Sequence, residues 1–527
     1  MLDRNKLEPF KTALTKALRT TTHADAKLNA RFIELRPGII GTLETNVNHL
    51  VTGRRGVGKS TTLAILQQSA ERKGKKVIFV DVESHKSRDY PDVLIEIILD
   101  VLRAIKPKRS HRRRTWRVRG RIRELTRVLL YLRDAGNEVR EEAAESSIKS
   151  RGGSIALSGK LALEFNRLSG RAHAEAGRSS RKVRSTTRLR TKDELLRDLA
   201  PSIAQTLEDV TDLDASTSLI LVLDDFYFVP KQTQPLVLDH LHGITKKSNV
   251  WLKIGSVQSR TQTFADGDPP LGMQPPHDVQ HLSLDVGLAD FHTAKTFLEE
   301  VAAGVLAPEG FKLSSVLTEK ARERAVLIAG GAVSRDYFDL LISAADAAWE
   351  EVQRADKANA PFAIDAEHIQ AAAGVRLARK QADLRNDAGR DASKLERRFE
   401  DIVKFTRNRD TFFFLVRQEH MDLEFGREIL ELEDLRFVHR IMTTRPNSGN
   451  WRGVDTVVFM VDIPAIVTKR MRKAPLEFWK PGQVDKLRRA EWVYSPEWQP
   501  QEKLQSSSEA SSSKEARNGS TEVTLFD

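Results

Sequence analysis

From Thr52 to Thr62 the chain reads Thr-Gly-Arg-Arg-Gly-Val-Gly-Lys-Ser-Thr-Thr. Starting at Gly53 this satisfies G-x-x-x-x-G-K-[ST] in full, and it stands between an apolar run and a helical pattern, as the motif requires. The glycines let the loop curl so that successive backbone N–H groups face one point, and the dipole of the following helix adds positive potential there. Such a loop cradles the phosphates of a nucleoside triphosphate. In this spacing Lys59 reaches the β and γ phosphates, and Ser60 offers a hydroxyl to Mg²⁺, an ion that keeps most of its water and takes few protein ligands. Gly53, Arg54, Arg55, Gly56, Val57, Gly58, Lys59, Ser60 and Thr61 are therefore the candidate nucleotide-binding residues, with ATP and Mg²⁺ as the expected cofactors.

A second constellation completes the chemistry. Leu219-Ile220-Leu221-Val222-Leu223 is a buried-strand pattern that ends in Asp224-Asp225. Asp224 would join Ser60 in holding the metal, and Asp225 stands where a carboxylate can orient and polarise an attacking water. Two acids after a strand are otherwise an ordinary solvated loop; the upstream phosphate loop favours the catalytic reading. His and the acids show no metal-site spacing of their own, and His439 on an apolar strand reads as a core or surface residue.

The elements that must position these residues alternate. Asn48–Thr52, Lys76–Asp81, Ser218–Leu223, Val250–Gly255 and Val279–Leu284 read as strands with helical patterns between them, which argues for a parallel sheet covered on both faces. The organisation expected is an N-terminal helical lead-in at 1–45, an α/β P-loop NTPase core at 46–290 carrying a basic insertion at about 104–192, and a helical lid at 291–375. A linker helix at 376–400, a winged-helix-like domain at 401–480 and a largely disordered tail at 481–527 follow. The fold class is α/β, a P-loop NTPase parallel sheet with a helical lid, followed by the winged-helix-like domain.

These motifs resemble the ATPase core shared by the STAND switch ATPases and the origin-recognition branch of the AAA-type ATPases. In those families the strand after the Asp-Asp pair ends in a polar residue that senses the γ-phosphate. Ser256 matches by register, with Gln258 and Arg260 close behind, and a plain strand-end loop is the alternative. Ala329-Gly330-Gly331-Ala332-Val333-Ser334-Arg335-Asp336 resembles the glycine turn and arginine through which AAA-type lids touch nucleotide, so Arg335 is the second sensor candidate, against a solvent-facing arginine. Asp225 stands where the AAA pattern has Glu; Asp-Asp is the STAND-like form, suited to slow turnover. The resemblance implies an ATPase whose catalytic set is Lys59, Asp225, Ser256 and Arg335. A neighbouring subunit's γ-phosphate would need a cation, for which Arg54, Arg55 and Arg260 are candidates.

Composition bounds the partners. The 527 residues contain 85 Lys plus Arg against 73 Asp plus Glu, a formal net charge of +12, and the excess is concentrated: ten cations and no acid lie between Lys106 and Arg123. One Trp sits among them, so a polyanion such as DNA is a candidate partner through Arg112, Arg113 and Arg114; pairing with the acids around Glu138–Glu142 is the alternative. A hairpin tip carrying Arg445 and Arg452 in the winged-helix pattern gives a second DNA candidate, and protein docking its alternative. The absence of Cys removes disulfides and thiolate metal sites. Without an apolar leader or an 18-residue apolar run the protein reads as cytoplasmic and away from membranes. The expectation is an ATP-driven switch or remodeller that acts on DNA as a homo-oligomer. The alternative is a STAND-like signalling ATPase, for example in anti-phage defence, that docks a separate effector protein.

Overall fold

A computed structural model describes residues 1–19, 32–105, 113–146, 183–213, 218–355, 360–374, 392–464 and 476–498, with the backbone alone at 138–146 and 183–189. The chain opens with α1 (Arg4–Arg19), α2 (Ile39–Leu43), β1 (His49–Thr52), α3 (Lys59–Arg72), β2 (Lys76–Asp81), α4 (Asp92–Ala104) and α5 (Arg113–Asp134). A hairpin β3 (Glu138–Ser146) and β4 (Val183–Thr191) leads to α6 (Lys192–Asp212), β5 (Leu219–Asp224), α7 (Gln234–Thr245) and β6 (Val250–Ser256). The short pair β7 (Phe264–Ala265) and β8 (Leu271–Gly272) precedes β9 (Gln280–Ser283), and then α8 (Phe291–Leu306), α9 (Leu313–Val316), α10 (Glu319–Ala329) and α11 (Ser334–Arg354). The last group is α12 (Ala392–Asn408), β10 (Phe413–Arg417), α13 (Glu424–Asp434), β11 (Val438–Thr444) and β12 (Thr456–Val461).

Five parallel strands build the core sheet in the order β2-β5-β6-β1-β9. Every residue of β1 and β5 is buried, as expected of strands covered on both faces. The strand carrying Asp224 is thus separated by β6 from the strand that enters the phosphate loop. Register brings Thr52 opposite Ser256 and Asp81 opposite Asp224, so all these residues collect at the carboxyl edge of the sheet, where open α/β folds hold their ligands. This is a P-loop NTPase core.

Part of the region expected as an insertion belongs to the core. Helix α5 buries Val118, Ile122, Leu125, Val128, Leu129 and Leu132 against α4 and α6; its many arginines obscure the helical period of those apolar residues in the sequence. Antiparallel β3 and β4 pair from Glu138 with Thr191 to Ser146 with Val183, and α6 then starts on a capping box of Thr191 and Glu194. Arg112 and the Gly- and Ser-rich stretch at 151–159 lie outside the described residues.

Helix α1 is no separate lead-in. It packs on α8 and α11 of the lid, with Leu2 and Phe362 exchanging backbone hydrogen bonds of 2.8 Å and Lys11 bonded to Asp346 at 2.7 Å.

The C-terminal unit runs helix, strand, helix, hairpin, with an antiparallel sheet in the order β10-β12-β11, a winged-helix arrangement. Two expected boundaries shift. Residues 392–400 form the first half of α12 and bury Leu395 and Phe399 in this unit. Residues 481–498, expected in the tail, lie on the sheet: the Tyr494 N–H donates to Leu415 O at 2.7 Å, and Tyr494 and Trp498 stand 5.0 and 5.3 Å from the Phe405 ring. Aromatic residues spaced among charges supply the buried area that the surrounding composition hides. Just before them, Trp479 stacks on Phe291 of α8 at 4.4 Å. One apolar cluster therefore runs from α1 through the lid into the C-terminal unit.

Candidate functional site

A cavity of about 830 Å³ opens at the carboxyl edge of the sheet, within the usual size range of ligand sites. Its floor is the loop from Arg55 to Thr62, one wall carries Glu83, Asp225 and Tyr227, and the lid contributes Phe297, Phe338 and Arg335. Residues of α1 and the segment 32–35 close another side, a contribution that the sequence did not signal.

The loop turns through Gly56 at φ +86° and Gly58 at φ +97°, conformations that residues with a Cβ rarely adopt. Gly56 also has a steric reason: a Cβ there would lie 3.2 Å from Arg335 Cβ and from Val333 Cγ1. The lid residue Arg335, in the first turn of α11, thus rests directly on the phosphate loop. Lys59 is buried and its Nζ donates to the carbonyls of Gly53 at 2.8 Å and Arg54 at 3.2 Å. Burial lowers the pKa of its ammonium, opposed by Asp225, Asp224 and Asp285.

Ser60 and Asp224 face each other and share a side-chain hydrogen bond. Asp224 also accepts from the Asp225 N–H at 3.0 Å, and burial raises its pKa. The room for this carboxylate comes from Gly255, where a Cβ would stand 2.8 Å from Asp224 Oδ1 and 2.7 Å from Leu63 Cδ1. Asp225 sits in the left-handed region at φ +53°, which turns its side chain off the strand and into the cavity. Burial first, and the neighbouring Asp224 charge second, push its pKa up to about 6.

The other candidates separate. Ser256 is fully buried, with its hydroxyl 2.5 Å from Thr261 Oγ1, one strand away from Asp224 and not in the cavity lining. Arg55 reaches the cavity, where its Nε donates to Tyr227 Oη at 3.2 Å. Arg260 lies in a short helical turn after β6 together with Gln258. Arg54 is withdrawn from any outward role: its Nε donates to both oxygens of Asp285 at 2.9 and 2.8 Å, and its Nη1 to Gly330 O at 2.8 Å. Only its backbone remains with the loop.

Arg54 is also the center of a charge network in which the C-terminal unit meets the loop between β1 and α3. Glu433 and Asp434, at the end of α13, lie within its field, and both are pushed up mainly by burial, Asp434 to about 7. Asp434 accepts from the Ser259 N–H at 3.1 Å, next to the Ser256 strand end. Arg436 pairs with Asp336 at 2.5 Å, and His439 is buried against Gly330, the lid turn that Arg54 also holds. None of these partners has a sequence signal, because each contact spans a hundred residues or more.

At the far end of the C-terminal unit Arg445 of the hairpin tip is held by Asp455 at 2.6 and 3.2 Å, and Arg452 is exposed. Helix α13, which precedes the hairpin, carries five acids and one arginine. Among the described residues no group of three or more His, Asp or Glu is placed to hold a metal ion alone, and no helix is long and apolar enough to cross a membrane.

No family model and no curated protein matches the chain. Among solved structures, the chain is similar to the Aeropyrum pernix ORC1 protein in complex with DNA, at 14% identity and a TM-score of 0.31, over 89% of this chain and 92% of that one. It is also similar to the Aeropyrum pernix ORC2 protein in ADPNP–ADP complexes, at 12% identity and a TM-score of 0.29, over 88% and 92%.

Proposed function

We propose that the protein binds ATP with Mg²⁺ at this cavity, hydrolyses it slowly, and uses the nucleotide state as a switch that acts on DNA. The observation that carries the nucleotide reading is the meeting of Ser60 with Asp224 across β6, directly beside the phosphate loop. Ser60 and Asp224 would hold the metal, which when bound supplies Lewis-acid charge at the phosphates. Lys59 exchanges the loop carbonyls for phosphate oxygens. Asp225 accepts a proton from water, and its raised pKa makes it a stronger base than an ordinary aspartate. Arg335 carries lid closure to the loop at Gly56. Arg54, Asp285, Glu433 and Asp434 give the C-terminal unit a direct electrostatic view of the loop.

DNA action is supported by the charge of the chain and by α5. A second reading, in which the C-terminal unit docks a protein, is favoured by one observation: α13 is acidic and its end is occupied by the ATPase core, which makes it unsuited to a phosphate backbone. ATP turnover with and without double-stranded DNA, across a salt series and beside Lys59→Ala, tests the choice. Stimulation that fades with salt and vanishes in Lys59→Ala supports action on DNA; turnover indifferent to DNA moves the search to a protein partner. Oligomeric state is read in the same preparation, since a homo-oligomer with Arg260 or Arg55 at a neighbour's site is the arrangement the switch would use.

A further inference from the structure

Helix α5 has two sides of different character. On the side toward α6 its cations meet acids: Arg114 reaches Asp212 at 2.9 Å and Arg121 reaches Asp209 at 2.7 Å. The opposite side faces solvent. Trp116, Gly120, Arg123, Arg127 and Tyr131 follow at steps of four, three, four and four, which places them on one stripe of the helix, and Arg113 and Arg117 flank it, exposed.

Trp116 is 62% exposed and Tyr131 is 52% exposed. Among the described residues these are the only aromatic side chains that stand out as large exposed apolar groups, and both occupy this stripe. The other described aromatic side chains are buried or half-buried, so the exposure here is not their general habit. The distance along the axis from Trp116 to Tyr131 is about 22 Å at 1.5 Å per residue, long enough for several nucleotides. Gly120 adds a second oddity. A Cβ there would meet nothing within 4 Å, so packing does not demand it, although glycine in a helix interior costs about 1 kcal/mol relative to alanine. Its effect is to leave a flat gap between the Trp116 ring and Arg123.

We infer that this stripe of α5 binds single-stranded nucleic acid, with arginines along the backbone phosphates and unpaired bases stacked on Trp116 and Tyr131. The inference rests on reading α5 as the polyanion surface and sharpens that reading: a duplex keeps its base faces covered, so exposed rings add nothing to it, whereas an unpaired strand presents a π-face at every base. A purely electrostatic surface would need the arginines alone.

The test is fluorescence anisotropy of labelled oligothymidylate and of a duplex of equal length, using the full chain, Trp116→Ala/Tyr131→Ala and Arg123→Gln/Arg127→Gln. The expected result is tighter binding of the single strand by about tenfold or more, with the aromatic variant losing about thirtyfold or more of that affinity, the lower end of the range for two stacking sites, and little of the duplex affinity. The arginine variant weakens both, and its salt slope on the single strand falls by about 0.7 for each lost phosphate contact. Equal losses on both substrates, or no loss in the aromatic variant, overturn the inference while leaving a polyanion surface. Binding to neither nucleic acid, or to anionic vesicles in their place, overturns the polyanion reading as well. All substituted side chains face solvent, and an unchanged thermal transition of each variant identifies a lost contact as local. A variant that fails to fold is replaced by Trp116→Gln/Tyr131→Gln, which keeps bulk and removes the ring.

Discussion

Replacing Asp434 by asparagine should stabilise the protein in alkaline buffer and leave it nearly unchanged in acid. The carboxyl is buried between Glu433 and Arg54, and its pKa rises from 3.8 to about 7, with burial as the main cause and the Glu433 charge second. An acid whose pKa is raised by folding takes up a proton in the native state between about pH 4 and pH 7. Stability therefore falls as pH rises through that window and levels off above it. A shift of about three units corresponds to about 4 kcal/mol at 1.36 kcal/mol per unit. Glu433 competes for the same proton, so about half of that, roughly 2 kcal/mol, is the expected gain above pH 7.5. Asparagine keeps an oxygen to accept from the Ser259 N–H and brings no charge. Thermal unfolding at pH 4 and pH 8 reads the effect, with the Trp479 region as reporter of the C-terminal unit. A stability difference that is the same at both pH values, or a variant weaker than the parent at pH 8, would refute the placement of Asp434 in a buried acidic pair.

Three further outcomes follow from the site. Gly255→Ala should weaken Mg²⁺-dependent ATP binding by tenfold or more, because the new Cβ would sit 2.8 Å from Asp224 Oδ1; calorimetric titration with and without Mg²⁺ checks it, and an unchanged metal dependence would contradict it. If Asp225 is the general base, hydrolysis should rise with pH through about 6 and then level, and Asp225→Asn should abolish that limb of the pH profile. Gly330→Ala should destabilise the docking of the C-terminal unit by about 1–3 kcal/mol, since φ there is +77° and a Cβ would lie 2.3 Å from the His439 ring; limited proteolysis of the variant should release that unit earlier than in the parent.

The parts of the molecule that were legible in the sequence are those whose signal is local. Glycines 53, 56 and 58 with Lys59 and Ser60 define the phosphate loop in eight residues, and the apolar run into Asp224-Asp225 defines its partner strand. The winged-helix order was readable because each of its elements has its own period and its hairpin tip is rich in turn residues. Helix α5 was legible only in part: Val118, Ile122, Leu125 and Leu129 keep helical spacing, yet eight arginines on the same 22 residues gave the segment the look of a solvated insertion. The role of Arg54 was out of reach. Its position inside the phosphate loop points to the ligand, whereas Asp285, 231 residues away, and the end of α13 turn it inward. Long-range charge pairs leave no period or spacing behind, and the same is true of α1 closing the cavity.

Whether Lys59, Ser60 and Asp224 form one Mg²⁺-nucleotide site is decided by ATP binding measured by calorimetry in parallel on the parent, Lys59→Ala and Asp224→Asn. A shared site gives saturable binding that strengthens with Mg²⁺ in the parent, its loss in Lys59→Ala, and binding without the Mg²⁺ enhancement in Asp224→Asn. Failure of the parent to bind ATP, or equal binding by all three proteins, would contradict it.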